Sequence, residues 1–490
     1  MTSGDVWVLA PMALLLGGAL AVYLVGRFIT SRNTVLACAT ALFFAATLAS
    51  VGVLAQRVAL AGQTNTALPV WGCLGEGGAC LRAARGGLYM VGMSAGMGIY
   101  VSIYSGRYLA LDRRYRTYYP LLLLMVAGLV GMVMTTDLFS LYLFCELMSV
   151  AAYVLVAFRR QTDTSIEAGY KYLVMGSAGT LTLLFGLSLV YWETGVLSLP
   201  NPISTPGLWA RVGLACIIVG LAVKSAIVPA HTWLPDAYGR APSSVSAMFS
   251  GSVIQSSFFV MVNASLGLGF PERTLGLILM ACGVLNMTLG NVMALVQVHT
   301  KRMLAYSTIA QMGYALFSIG VGLRHGIPDA VRAGFFLILA HAAMKALAFM
   351  SKGICHFYCG TSLIEELKGT YQRLPVVAVS FTIALVGLAG VSPLAGFAGK
   401  WLILSELYRT ADWVVYVGIA VFLLNTLVSL GYYLPAIAML FTPAREEVPA
   451  RIRVSGWMAV PVVGLTLLVL ALGVAPGPWL RWSEGLLGFW

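Results

Sequence analysis

Roughly 20 apolar residues in a row are enough to cross the hydrocarbon core of a bilayer as a helix, and this chain supplies such a run again and again. Reading along it gives fourteen: near 6–27, 35–55, 86–105, 118–135, 138–158, 168–191, 208–228, 242–265, 274–295, 303–323, 330–352, 375–408, 413–441 and 456–475. Lipid offers the backbone no hydrogen-bond partners, so each run has to close its own bonds and become helical. The expected fold is an all-α polytopic membrane protein of about fourteen transmembrane helices, with no stretch between the runs long enough for a soluble domain. With 59% hydrophobic and 10% charged residues and a mean hydropathy of +0.88, most of the chain is unsuited to a water-facing surface.

The net charge of +12 does not point to nucleic acid, because the basic residues are spread through short connections between apolar runs. Eighteen Lys and Arg fall in the odd-numbered connections, against nine in the even-numbered ones and the C-terminus. The positive-inside rule then puts the odd connections in the cytoplasm and both termini outside, in a cell inner (plasma) membrane. The first run lacks the basic flank of a signal peptide and is expected to remain as a helix.

Two runs carry built-in breaks. In KSAIVPAHTWLPDAYGRAP, Lys224 closes an apolar run and Pro229, which has no N–H to donate, should end the seventh helix beside it. The twelfth run is too long for one straight crossing and contains GVSPLAGFAGK, with Gly390, Pro393, Gly396 and Gly399 ahead of Lys400. Broken helices beside ionisable residues are what ion transporters use for their sites. The seventh helix is fourth in the set four to eight, and the twelfth is fourth in the set nine to thirteen. Five is an odd number, so the two sets enter the membrane from opposite sides, as inverted repeats do. The expected organisation is a three-helix flank over 1–117, a first five-helix repeat over 118–265, a second over 266–441 and a C-terminal helix within 442–490.

Ionisable side chains inside apolar runs are costly, and each is a functional hypothesis by default. Glu146 sits in DLFSLYLFCELMS, Lys224 ends its run, Lys345 lies in LAHAAMKALAF, and Lys400 follows the second break. A carboxyl group and amines suit proton transfer, because burial brings both toward neutrality while an opposite charge pulls each back. His341, four residues before Lys345, shares its helix face and can hold or pass a proton. Each also has a plainer reading: Glu146 and Lys224 as a static ion pair, Lys345 and Lys400 as lysines reaching the membrane edge, His341 as a satisfied core histidine. The set of five, with two lysines beside two breaks, favours a path. Weaker candidates for a secondary path are Asp137, which reads first as a helix cap, Lys171 as an interfacial anchor, His231 and Asp236 just past the first break, Gln255, which can hold water but not titrate, and Lys301, a donor toward His341.

Together these segments resemble a known family, the antiporter-like subunits of respiratory complex I, membrane-bound hydrogenases and Mrp sodium/proton antiporters. The resemblance rests on DLFSLYLFCELMSVAAYVLVAF, KSAIVPAHTWLPDAYGRAPSSVSA, KRMLAYSTIAQMGY, LAHAAMKALAFMSKG and GVSPLAGFAGKW, which reach from the fourth helix to the twelfth. It implies a proton path along the membrane midplane, with Glu146 paired to Lys224, His341 and Lys345 passing the proton on, and Lys400 as the terminal lysine. Many relatives carry Lys or His near Gln255, so here the path between Lys224 and His341 is either residue-based or runs through water. Lys400 and the lack of a long lateral helix make the chain look most like the N subunit of complex I or the D subunit of Mrp.

The expected function is thus a proton-translocating subunit of a multi-subunit complex I-like redox pump or Mrp-type antiporter, with other membrane subunits, further antiporter-like chains among them, as partners. The alternatives are sodium/proton exchange in an Mrp assembly and a structural scaffold with a frozen ion pair. As part of a translocase the chain would hold no redox centre of its own: no cofactor and no metal is expected, since CHFYC around His356 offers too few ligands and only His341 is clearly mid-helix. Cys73 and Cys80, in one Gly-rich loop, are either a disulfide or free thiols.

Overall fold

The computed structural model describes residues 5–29, 32–63, 71–73, 80–112, 114–159, 163–199, 203, 206–444 and 451–482. Its helices are α1 (Ala10–Leu24), α2 (Asn33–Gln63), α3 (Arg85–Tyr108), α4 (Tyr115–Met134), α5 (Leu138–Val156), α6 (Asp163–Thr194), α7 (Leu208–Lys224), α8 (Trp233–Arg240), α9 (Ser243–Met248), α10 (Ile254–Gly267), α11 (Glu272–Leu295), α12 (Thr300–His325), α13 (Pro328–Cys359), α14 (Thr370–Arg373), α15 (Pro375–Ala389), α16 (Ala395–Leu407), α17 (Trp413–Phe441), α18 (Gly456–Val474) and α19 (Gly477–Trp482). Among the described residues 12 helical spans are long and apolar enough to cross a membrane, with α9 and α10 forming one of them through a π-turn at Phe249–Val253. Helix α7 occupies the seventh apolar run, with α8 in the connection after it, and α15/α16 occupy the twelfth.

Both expected breaks are present, and both begin before their proline. Helix α7 ends at Lys224, five residues ahead of Pro229, because Ala226 turns left-handed at φ +51°. Helix α15 ends at Ala389, and Gly390 takes φ +88°. In each break the left-handed residue lies three positions before the proline. The backbone groups freed at the first break find partners: the Trp233 indole donates to the Val223 carbonyl at 2.9 Å, and the Val228 N–H donates to Asn286 Oδ1 of α11 at 2.8 Å. Such substitution is what permits irregular backbone at membrane depth.

Two helix pairs are held backbone to backbone by glycines seven residues apart. On α6 and α7, Gly186 faces Gly213, and a β-carbon on Gly186 would lie 2.6 Å from the Gly213 carbonyl oxygen. On α11 and α12, Gly276 faces Gly320 and Gly283 faces Gly313; a β-carbon on Gly276 would lie 2.6 Å from the Gly320 carbonyl. Small residues of this kind let membrane helices approach closely where lipid supplies no hydrophobic drive between them. Helices α10, α12 and α13 are enclosed by the others: their most apolar windows are buried throughout, whereas 28% of that of α17 is.

The connections sort to two ends. At one end, the two-stranded hairpin Trp71–Cys73/Cys80–Arg82 bridges to Thr135 through Leu81, and Asp137 bridges to Ser198. At the other end His299 bridges to Leu363, and the Gly369 N–H donates to the Thr442 carbonyl. Even-numbered connections therefore meet one another and odd-numbered ones do likewise, as alternate crossings require. Cys80 is disulfide-bonded, and the strand register sets Cys73 directly across from it.

Candidate functional site

The three lysines of the expected path lie enclosed in protein: Lys224 is 1% exposed, Lys345 0% and Lys400 4%. This excludes, for Lys345 and Lys400, the reading in which they reach the membrane edge. Lys224 closes α7 and donates to Ser149 Oγ at 2.6 Å and Tyr153 Oη at 2.9 Å, with its ammonium 5.3 Å from the Tyr153 ring centroid. Ser149 and Tyr153 follow Glu146 on α5 by three and seven residues, on the same face. The closed ion pair expected between Glu146 and Lys224 is not formed. Glu146 is only half-buried, and the hydroxyls of the next turns have taken its place as acceptors.

Lys345, on α13, donates to the Leu304 carbonyl at 2.7 Å and to Ser307 Oγ. His341 is one turn away on the same helix, 1% exposed, and neither ring nitrogen has a hydrogen-bond partner in the described protein. It is not the satisfied core histidine of the plainer reading. Lys400 lies just past the second break and donates to the carbonyls of Leu388 and Ala389, at 3.5 and 3.2 Å, with its ammonium 4.8 Å from the Tyr314 ring centroid. Those carbonyls end α15, where the partial negative charge of a helix gathers, so the break itself supplies the cation's seat.

Helix α12 connects the second and third lysines. Leu304, Ser307, Thr308, Gln311 and Tyr314 share one face of it. The first two hold Lys345; Thr308 Oγ1 meets Ser250 Oγ of the π-turn at 3.1 Å; Gln311 Nε2 donates at 2.8 Å to the Leu388 carbonyl that also receives Lys400; and Tyr314 lies against Lys400. Gln255, fully buried, donates to the Ser250 carbonyl and leaves its Oε1 without a protein partner, as does Gln311.

The weaker candidates separate clearly. Asp137 caps α5, accepting from the Ser140 N–H at 2.7 Å. Lys171 pairs with Glu167 at 2.7 Å and with Asp236 at 3.3 Å, and Arg302 approaches Asp236 at 3.7 Å, which makes Lys171 and Asp236 parts of a surface ion cluster. His231 Nδ1 lies 3.2 Å from the Pro229 carbonyl oxygen. Lys301 donates to the Ala241 carbonyl and shows no contact with His341, so its expected role as direct donor to that ring is not seen. Sequence reasoning missed Ser149, Tyr153, Ser307, Gln311 and Tyr314. The first two were within reach, since their spacing from Glu146 places them on its face.

A bundle of this many crossings, with cations enclosed beside two discontinuous helices, is of the ion-translocating class of membrane protein. The family described as "NADH:quinone oxidoreductase/Mrp antiporter, TM" matches residues 135–429, and the chain belongs to that family as an antiporter-like membrane subunit. It is 33% identical over 369 residues, 74% of this chain and 75% of the relative, to a NADH-quinone oxidoreductase subunit N of Desulforamulus reducens. Among solved structures it resembles a chain of an archaeal membrane-bound sulfane sulfur reductase, with TM-score 0.84, 26% identity and coverage of 98% of this chain and 96% of that one. It likewise resembles a chain of Thermus thermophilus respiratory complex I, with TM-score 0.75, 28% identity and coverage of 96% and 98%.

Proposed function

We propose that the chain moves protons along the axis Glu146, Lys224, His341/Lys345, Lys400, as one subunit of a redox-driven multi-subunit membrane complex. One observation carries this reading: the three ammonium groups of this axis are held by hydroxyls and carbonyls rather than by carboxylates. An enclosed cation without a fixed counter-charge has no electrostatic lock, so gain or loss of a proton on a neighbour changes its own occupancy. Glu146 is one turn from Ser149 along α5, so a change in the Lys224 side chain alone carries the ammonium from hydroxyl to carboxylate. That motion is the switch, and the arrangement seen here is its open position.

The path between Lys224 and Lys345 runs through water. Unpartnered buried atoms at Gln255 and both nitrogens of His341 support this, because buried polar groups in proteins are satisfied by ordered water where side chains do not serve. The two breaks, with their left-handed residue three positions before a proline, support inverted repeats over 118–265 and 266–441. The excess of Lys and Arg in the odd connections supports their cytoplasmic placement, with both termini outside the plasma membrane. Similarity to a quinone oxidoreductase subunit and to a respiratory reductase chain favours a redox partner over a sodium gradient.

The test is proton uptake by inside-out vesicles holding the assembled complex, recorded with a pH-sensitive dye while electron transfer is measured in parallel. Lys224→Ala and Lys400→Ala are each expected to remove most of the acidification in a complex that still assembles. Wild-type acidification in either variant would rule out the axis, and acidification that requires sodium would move the chain to the exchanger reading.

A further inference from the structure

Between the ends of α5, α6, α8, α9, α12 and α13 lies a cavity of about 310 Å³ whose walls carry Arg159, Arg240, Lys301, Arg302 and Lys352. His299 and His356 add two more nitrogen bases, and no Asp or Glu lines it. These cations come from four different connections, brought together where the odd-numbered ones meet. Positive-inside sorting accounts for basic residues on one side of a membrane protein. It does not account for five of them converging on one cavity.

Carboxylates nearby neutralise only the rim. Asp112 pairs with Arg159 at 3.1 Å, and Asp236, already bound to Lys171, stands 3.7 Å from Arg302. Glu366 acts on Lys352 from a distance, but its carboxylate is taken by the Ser362 and Leu363 N–H groups, which hold its carboxyl below the ordinary range. Arg240, Lys301 and Lys352 form no ion pair among the described residues. Lys301 donates to the Ala241 carbonyl, and Lys352 to the Thr361 carbonyl at 2.5 Å and Thr361 Oγ1 at 3.3 Å. The charges of Lys352, Arg159 and Arg240 all bear on the Lys301 ammonium. The first turn of α12, positive by its own dipole, opens onto the same space, and Thr300 Oγ1 in that turn is fully buried with no partner. Like charges so placed repel unless an anion sits among them.

We infer that this cavity binds a phosphate-class oxyanion, with Arg240, Lys301 and Lys352 as its principal donors. Guanidinium and ammonium donors match the multiple acceptors of a tetrahedral oxyanion, and the mixture of both is typical of phosphate sites. The ligand is either free phosphate or the headgroup of an anionic phospholipid, which present the same oxygens. The site stands apart from the proton axis, and it holds whether or not that axis operates.

The experiment uses the purified complex in detergent, with Arg240→Glu on the cavity rim and Lys352→Met within it as separate variants, each checked for assembly. Equilibrium binding of radiolabelled inorganic phosphate is measured after delipidation, and phospholipid retained before delipidation is identified by mass spectrometry. Saturable phosphate binding that falls at least tenfold in both assembled variants assigns the site to a free oxyanion. One anionic phospholipid per chain, retained by the wild type and lost from both, assigns it to a headgroup. If neither ligand distinguishes the wild type from an assembled variant, the inference is wrong.

Discussion

At the scale of the residue, the lysines of the proposed axis are held by neutral acceptors. Tyr153 gives Lys224 both an oxygen and a ring face, and Tyr153→Phe removes only the first. Loss of one hydrogen bond to a charged group costs about 1.5–3 kcal/mol, so this variant should slow proton uptake roughly tenfold or more without harming assembly. Tyr314 divides the other way, since its ring faces Lys400 while its hydroxyl meets Asn291 Nδ2 at 3.2 Å. A desolvated cation–π contact contributes about 2 kcal/mol. Tyr314→Leu should therefore impair acidification much more than Tyr314→Phe, and equal effects would show that the ring plays no part. Glu146→Gln is expected to impair transport in the same assay, because it removes the acceptor of the closed position; full activity would remove the switch. Ser307 and Gln311 escaped sequence reading because neutral polar residues are common in membrane helices. Only their approach to Lys345 and to the Leu388 carbonyl gives them meaning.

At the scale of the element, α12 is held to α11 by glycines at which no β-carbon fits. Gly283→Leu would drive a side chain into the backbone of Phe317, which a β-carbon there would already approach at 2.7 Å. Overpacking typically costs 1–3 kcal/mol and more where backbone must move. The expected result is a lower melting temperature of the complex and reduced proton uptake together, whereas Gly52→Leu, where a β-carbon meets nothing within 4 Å, should change neither. The two breaks were legible in the sequence because proline and a buried lysine both announce themselves. Their true starting points were not, since Ala226 is an unremarked residue that becomes left-handed only because α8 and α11 satisfy the backbone around it. The closed Glu146–Lys224 pair was expected from the two charges and from the family resemblance, and neither reports that Ser149 and Tyr153 hold the ammonium instead.

At the scale of the whole molecule, fourteen apolar runs became 12 long spans and two broken crossings, because bilayer thickness imposes a length that can be read directly from sequence. The gathering of odd-numbered connections around one basic cavity could not be read that way, for it depends on how the crossings are arranged around α12 and α13. Affinity purification from the native membrane should recover this chain with iron–sulfur and quinone-site or reductase subunits. Recovery with only small membrane subunits and a second antiporter-like chain would instead place it in a sodium/proton exchanger.

The glycine-locked pairing of α11 and α12 also decides where motion can occur. With α12 fastened along its length, the Leu304 and Ser307 acceptors of Lys345 and the Tyr314 ring beside Lys400 are set on a stator that neither turns nor slides. In the proposed mechanism what moves is the lysine side chain, a tether of four methylenes swinging between fixed docking points. A machine with its travel confined to side chains transmits a signal over long distances by relaying local steps, each short, rather than by bending its frame.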